Sequence, residues 1–169
     1  MSNQHLPTRQ QLLDKEGVLL IVDQIQPPAG LVPKGRQPVL KPKELGLFIA
    51  VCDDGQVLAF NGHVDLGTGI KTSLAQIVAE ELYLRMDQVS MVLGDTQRAP
   101  NQGATIASAS IQISAVPLRQ AAAEARLWLR HEAARRLSVE PQQLILLDGV
   151  FSVAEEGAER RSLSFADLV

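Results

Sequence analysis

One cysteine and three histidines are all that this 169-residue chain offers of the common soft-metal and redox ligands. Cys52 alone cannot close an internal disulfide, hold an iron–sulfur cluster on several thiolates, or take haem through a Cys-x-x-Cys-His motif. Redox chemistry here would need a borrowed cofactor. His5, His63 and His131 fall at no metal-ligand spacing, and Cys52 sits in an apolar run as a small buried hydrophobe would. An excess of positive charge is also missing. Sixteen Lys and Arg against nineteen Asp and Glu leave a net charge of −3, without the basic field that nucleic-acid binding needs. No apolar run approaches the roughly 20 residues that span a bilayer, and residues 1–11 are polar rather than a basic stretch followed by an apolar one. These absences lead us to expect a soluble, cytoplasmic protein.

What is present suits an ordinary core of about one domain: 46% of residues are hydrophobic and 21% are charged. Residues 6–14 read as a short helix, and after Gly17 the run VLLIV (18–22) has the length and branching of a buried strand. Residues 27–42 change character. Pro27, Pro28, Pro33, Pro38 and Pro42, with Gly30, Gly35, Lys34, Arg36 and Lys41, neither pair as a central strand nor form a helix, so residues 1–44 are expected to end in a proline-rich arm. That arm is a solvated connector or a contact patch for a partner.

Residues 45–52 and 56–61 are two strand-like runs joined by Asp53-Asp54-Gly55, a hairpin whose glycine suits a positive φ. After Gly67-Thr68-Gly69, the apolar residues Ile70, Leu74, Ile77, Val78 and Leu82 recur with helical period. Residues 89–93 predict another strand. A small-residue run follows the polar loop 98–103, and a helix is expected from near Ala107, disturbed or capped at Pro117, with Leu118, Ala122, Ala125, Leu129, Ala133 and Leu137 on one face. Residues 144–153, with Asp148-Gly149 at the middle, read as a second hairpin, and residues 162–169 as a helix cut off early.

Two segments carry candidate chemistry. A glycine pair at a helix start presents unpaired N–H groups and the positive end of the helix dipole, which suit a phosphate or pterin oxygen, although Gly-x-Gly turns that bind nothing are frequent. Gly67-Thr68-Gly69 lacks both the third glycine of a dinucleotide fingerprint and the Gly-Lys-Thr of a P-loop. The run from Thr105 to Ser110 carries three hydroxyls among alanines, which serve either close helix packing or a polar planar ligand. The two would form one clamp if the fold brought them together.

The order and spacing of HVDLGTGIKT (63–72), QIVAEEL (76–82), residues 89–96, Pro100-Asn101, Thr105 and Ala107-Ser108-Ala109-Ser110 resemble the molybdenum-binding large subunits of the xanthine dehydrogenase and aldehyde oxidase family. The likeness covers residues 45–169 and is strongest to the bacterial nicotinate dehydrogenase and isoquinoline 1-oxidoreductase branch. Residues before 45 also resemble the opening of a nicotinate dehydrogenase large subunit, on less specific motifs. The resemblance implies a partial molybdopterin-binding domain over residues 45–169. The cofactor would be molybdopterin, in bacteria as the cytosine dinucleotide. Its partners would be an iron–sulfur small subunit and the remaining large-subunit segments, and its substrate a small N-heteroaromatic ring such as nicotinate, hydroxylated next to nitrogen with water.

By the same resemblance Leu66, Gly67, Thr68 and Gly69 lie against the pterin, and Thr105, Ile106, Ala107, Ser108 and Ser110 contact it with backbone and hydroxyl groups. Thr68 stands where many members have glutamine, which implies a weaker or water-mediated contact. No catalytic residue and no metal ligand is assigned, because the family's general base belongs to a distant C-terminal segment. Glu80 and Glu81 are expected on the solvent face of the helix after the glycines. The expectation is therefore a module of a molybdenum hydroxylase, incomplete and inactive alone; the alternative is a non-enzymatic cofactor-carrying or partner-docking domain, or a degenerate remnant. The expected fold is α+β: a small mixed or antiparallel sheet from residues 45–61 and 89–93, two principal helices packed on one face, and a C-terminal hairpin.

Overall fold

A computed structural model describes residues 6–24, 45–153 and 161–169. The proline-rich arm expected at residues 27–42 lies outside them. Four strands, β1 (Leu19–Gln24), β2 (Leu45–Val51), β3 (Val57–Asn61) and β4 (Val89–Leu93), form a sheet in the order β1-β2-β3-β4. β1 and β3 run antiparallel to β2, while β4 is parallel to β3, so the sheet is mixed. The parallel pair requires a crossover, which is made by helix α2 (Ile70–Leu82). β1 precedes the boundary expected at residue 45 and pairs with β2 along its whole length.

The register of that pairing explains which side chains reach the core. Ile21 faces Ile49 but Val22 faces Leu47, which leaves Phe48 as the extra residue of a β-bulge. Strict alternation is broken there, so Phe48 and Ile49 both enter the cluster that also holds Val57, Ala59, Val89 and Met91. The same cluster takes Leu74, Val78 and Leu82 from α2 and Leu118, Ala122, Ala125 and Leu129 from helix α3 (Ala115–Leu137). Full burial of side chains such as Phe48, Leu74 and Leu118 contributes about 1.5–3 kcal/mol each. The two principal helices thus pack on one face, as their apolar stripes predict.

The opposite face is covered as well. Leu47, Ala50, Cys52, Leu58, Phe60 and Val92 form a second cluster with Leu12 of helix α1 (Arg9–Leu13), whose N-terminus is closed by a Thr8–Gln11 capping box. Cys52 belongs to this cluster, and burial pushes its thiol above the ordinary range.

Two expectations at the helices need correction. Ala107 and Ser108 are not helical: both have positive φ, 55° and 51°, and form a left-handed turn. The helical spiral starts at Ser110, with a π-helical turn (Ser110–Ser114) before α3. Pro117, in the first turn of α3, lacks the N–H that would bond the Ile113 carbonyl, and its ring crowds that carbonyl; a widened turn accommodates both. The last segment also differs. Residues expected only as helix begin with strand β7 (Ser162–Ser164), which joins β5 (Leu144–Leu147) and β6 (Val150–Val153) in a second antiparallel sheet, and only then form α4 (Phe165–Leu168). A strand of three residues is too short to show a period, whereas the Ser164–Asp167 capping box that starts α4 is a local pattern.

Candidate functional site

At the C-terminal end of β3 the chain leaves the sheet through Asn61, Gly62, His63 and Val64, and each of these makes a hydrogen bond to the segment between Gln102 and Ser114. Asn61 Nδ2 donates to the Ser114 carbonyl at 3.0 Å, and Gln102 Nε2 donates to the same oxygen at 2.9 Å. The Gly62 amide donates to Gln102 Oε1 at 2.8 Å, and the Val64 amide to Thr105 Oγ1 at 2.9 Å. His63 Nδ1 lies 2.7 Å from Ser110 Oγ. The approach is close enough to dictate residue 62: a β-carbon there would stand 2.1 Å from the Pro100 carbonyl oxygen, which only glycine avoids.

Asn61, His63, Gln102, Ser110 and Ser114 are all buried, so every bond among them is made away from bulk water. Burial pushes the His63 imidazole below its ordinary range, partly opposed by a hydrogen bond with the Gln102 backbone, and the ring is neutral at neutral pH. None of Asn61, His63, Gln102 and Ser114 was singled out as functional from sequence. The available signal was a polar residue, Asn61, closing the apolar strand VLAF, with His63 two residues on.

Of the two segments singled out from sequence, residues 66–69 follow the joint along the chain, and residues 105–110 lie within it. Leu66, Gly67, Thr68 and Gly69 are exposed, Leu66 to 79%, and so are Ile106, Ala107 and Ser108, with Thr105 half-buried. Ser110 is different. It is buried, and its hydroxyl faces His63 rather than solvent.

The glycine turn is not the set of free donors that its position suggests. Asp65 Oδ1 accepts from the amides of Gly67 and Thr68 at 2.9 Å each and of Gly69 at 3.3 Å, while Oδ2 accepts from Lys71 at 3.0 Å. Those bonds, led by the one from Lys71, hold the Asp65 carboxyl below the usual carboxylate range. A carboxylate two residues before the turn reaches the amides more cheaply than any diffusible anion, so the dipole end is already neutralised from within. What Gly67 and Gly69 still offer is space. Both have positive φ, and a β-carbon on either would meet nothing within 4 Å. The Thr68 hydroxyl beside them lies 3.5 Å from Asp65 Oδ1.

Glu81 also departs from expectation. Its side chain, 12% exposed, bridges Arg119 at 3.0 Å and Arg126 at 2.9 Å, tying α2 to α3, and Arg126 lies over the Tyr83 ring. Both carboxylate oxygens are engaged in an ion pair between helices. Among the described residues no group of three or more His, Cys, Asp or Glu is placed to hold a metal ion, and no helix is long and apolar enough to cross a membrane.

With a mixed sheet, one crossover helix and two motif-bearing loops bonded together at the C-terminal end of β3, the chain belongs to the molybdopterin cofactor-binding domain family, which matches residues 19–169. A nicotinate dehydrogenase subunit of Pseudomonas putida is 67% identical to it over 99% of this chain. The 6-hydroxypseudooxynicotine dehydrogenase complex subunit gamma of Paenarthrobacter nicotinovorans is 34% identical over 64%. This chain spans 14% of the length of each of these two relatives. Quinoline 2-oxidoreductase from Pseudomonas putida 86 superposes with a TM-score of 0.59 at 26% identity, over 71% of this chain and 15% of that one. CO dehydrogenase from Oligotropha carboxidovorans shares the fold, with a TM-score of 0.62 at 23% identity over 90% of this chain and 18% of that one.

Proposed function

We propose that this chain is the molybdopterin-binding module of a nicotinate-dehydrogenase-like molybdenum hydroxylase. It would work in the cytoplasm with the remaining large-subunit segments and an iron–sulfur subunit, and be inactive by itself. The observation that carries this reading is the joint between the two motif-bearing loops, where the Val64 amide donates to Thr105 Oγ1 and His63 meets Ser110. Family membership and the 67% identity to a nicotinate dehydrogenase subunit support it.

In this reading Leu66, Gly67, Thr68 and Gly69 form one wall against the pterin, and Thr105, Ile106, Ala107 and Ser108 the other. The glycines contribute bare surface, and Thr68 and Ser108 contribute hydroxyls. Asp65 keeps the turn in shape by holding its amides. Ser110 acts from behind, through His63. The bound group, as the cytosine dinucleotide form, would supply hydroxylation of a ring carbon next to nitrogen in a small N-heteroaromatic such as nicotinate, with water as oxygen source and two electrons leaving to the iron–sulfur partner. No residue of this chain is assigned as the general base.

The test is to co-express the chain with the other large-subunit segments and an iron–sulfur subunit of a nicotinate dehydrogenase, then to measure molybdenum and oxidised-pterin fluorescence in the purified complex. Both should be present. Absence of both, under conditions that load the related enzyme, would overturn the reading.

A further inference from the structure

We propose that His63 is the positioning residue of this clamp, carrying its proton on Nε2 and accepting the Ser110 hydroxyl at Nδ1. The inference rests on the functional reading above, but its first observation is independent of it. Ser110 is buried, and among the described residues Nδ1 of His63, 2.7 Å away, is the polar group bonded to its Oγ. A buried hydroxyl that donates to nothing costs free energy, so its proton belongs on the hydrogen bond to the ring. Nδ1 must then be the acceptor, and the neutral imidazole keeps its own proton on Nε2.

The geometry shows what this tautomer holds in place. Ser110 opens the π-helical turn, separated by one residue from the left-handed Ala107 and Ser108, and Ser114 at the end of that turn donates to the Ser110 carbonyl at 2.9 Å. The His63 amide in turn donates to Asn61 Oδ1 at 3.0 Å. One ring therefore joins the strand end beneath the glycine turn to the turn that displays Ser108. Removing its acceptor frees Ser110 and lets the left-handed turn, which is strained for residues with a β-carbon, relax.

Two measurements test this. Long-range 1H–15N spectra of the 169-residue chain, simple because it has three histidines, should show the Nε2–H tautomer for the ring that disappears in His63→Asn. An Nδ1–H tautomer, or a rapidly averaging one, would overturn the assignment even if the chain binds no pterin. Pterin content of the co-expressed complex tests positioning. His63→Leu, which keeps volume but no acceptor, should lower pterin retention about tenfold, the effect of one buried hydrogen bond. His63→Asn, which leaves an oxygen near the place of Nδ1, should restore most of it. Equal retention in His63→Leu and wild type would sink the proposal, as would equal loss in both variants. Should His63→Leu fail to fold, Ser110→Ala removes the donor from the other side and should give the same tenfold loss; unchanged retention there counts against the proposal. A wild-type complex without pterin refutes the functional reading and leaves the tautomer to be decided by the spectra.

Discussion

The β-carbon that Gly62 lacks would stand 2.1 Å from the carbonyl oxygen of Pro100 and 2.9 Å from the amide nitrogen of Gln102. Both neighbours are backbone and cannot rotate aside. Gly62→Ala should therefore push the 100–105 segment off the end of β3, at a cost of about 1–3 kcal/mol. Chemical denaturation would read the cost, and loss of hydrogen-exchange protection at the Gly62 amide would locate it. A variant with wild-type midpoint and protection would contradict this close approach.

Thr105 contributes to the same joint through its hydroxyl alone. In Thr105→Val the Val64 amide loses its acceptor while side-chain volume is kept, and stability should fall by about 1 kcal/mol. Thr105→Ser should retain most of the difference. Equilibrium unfolding of the three proteins side by side makes the comparison, and a Val variant as stable as the Ser variant would show that this bond contributes nothing.

The carboxylate of Asp65 should titrate below 3.8, because four backbone N–H groups favour its charged form. A group depressed on folding contributes stability above its unfolded value, and loses it as pH falls through the folded one. Asp65→Asn should thus lower the melting temperature at pH 7, with the gap from wild type closing below about pH 3.8. The carboxyl midpoint, followed by 13C resonance, checks the direction; a midpoint above 3.8 would refute it.

His63 acts in the same direction at higher pH. Its folded-state value lies below 6.5, so the unfolded chain binds the extra proton first, and stability should decline as pH drops below 6.5. The ring's bonded neighbours, Ser110 and the Gln102 backbone, do not titrate in this range, which leaves the imidazole itself as the source. The pH dependence of unfolding between pH 5 and 7.5 should flatten in His63→Asn. An unchanged slope would place the titrating group elsewhere.

Much of the framework was readable along the chain because its cause is local. Leu74, Val78 and Leu82 recur at helical spacing and are buried together, and the two hairpin turns fall at Asp-Gly pairs. Where a competing local effect intervened, the reading slipped. The helix expected from near Ala107 is preceded by a left-handed turn at Ala107 and Ser108 and begins with a π-helical turn at Ser110.

The donor chemistry of the site was harder to read. Asp65 stands two residues before Gly67, and its position as an internal cap was visible in principle; the two glycines drew attention to the amides and away from the group that already holds them. Glu81 looked solvent-facing by helix phase alone, but the partner helix brings Arg119 and Arg126 against it.

Hydrophobic period and turn residues were therefore enough to expect an α+β module with a small mixed or antiparallel sheet and two small-residue loops near helix starts, since burial pattern and backbone φ depend on near neighbours. Whether those loops meet depended on the parallel β3–α2–β4 crossover, and on side-chain hydrogen bonds that span 40 to 53 residues. No spacing along a chain encodes such bonds, because a buried donor chooses its acceptor by proximity in space. That choice put His63 between the loops and turned Ser110 inward.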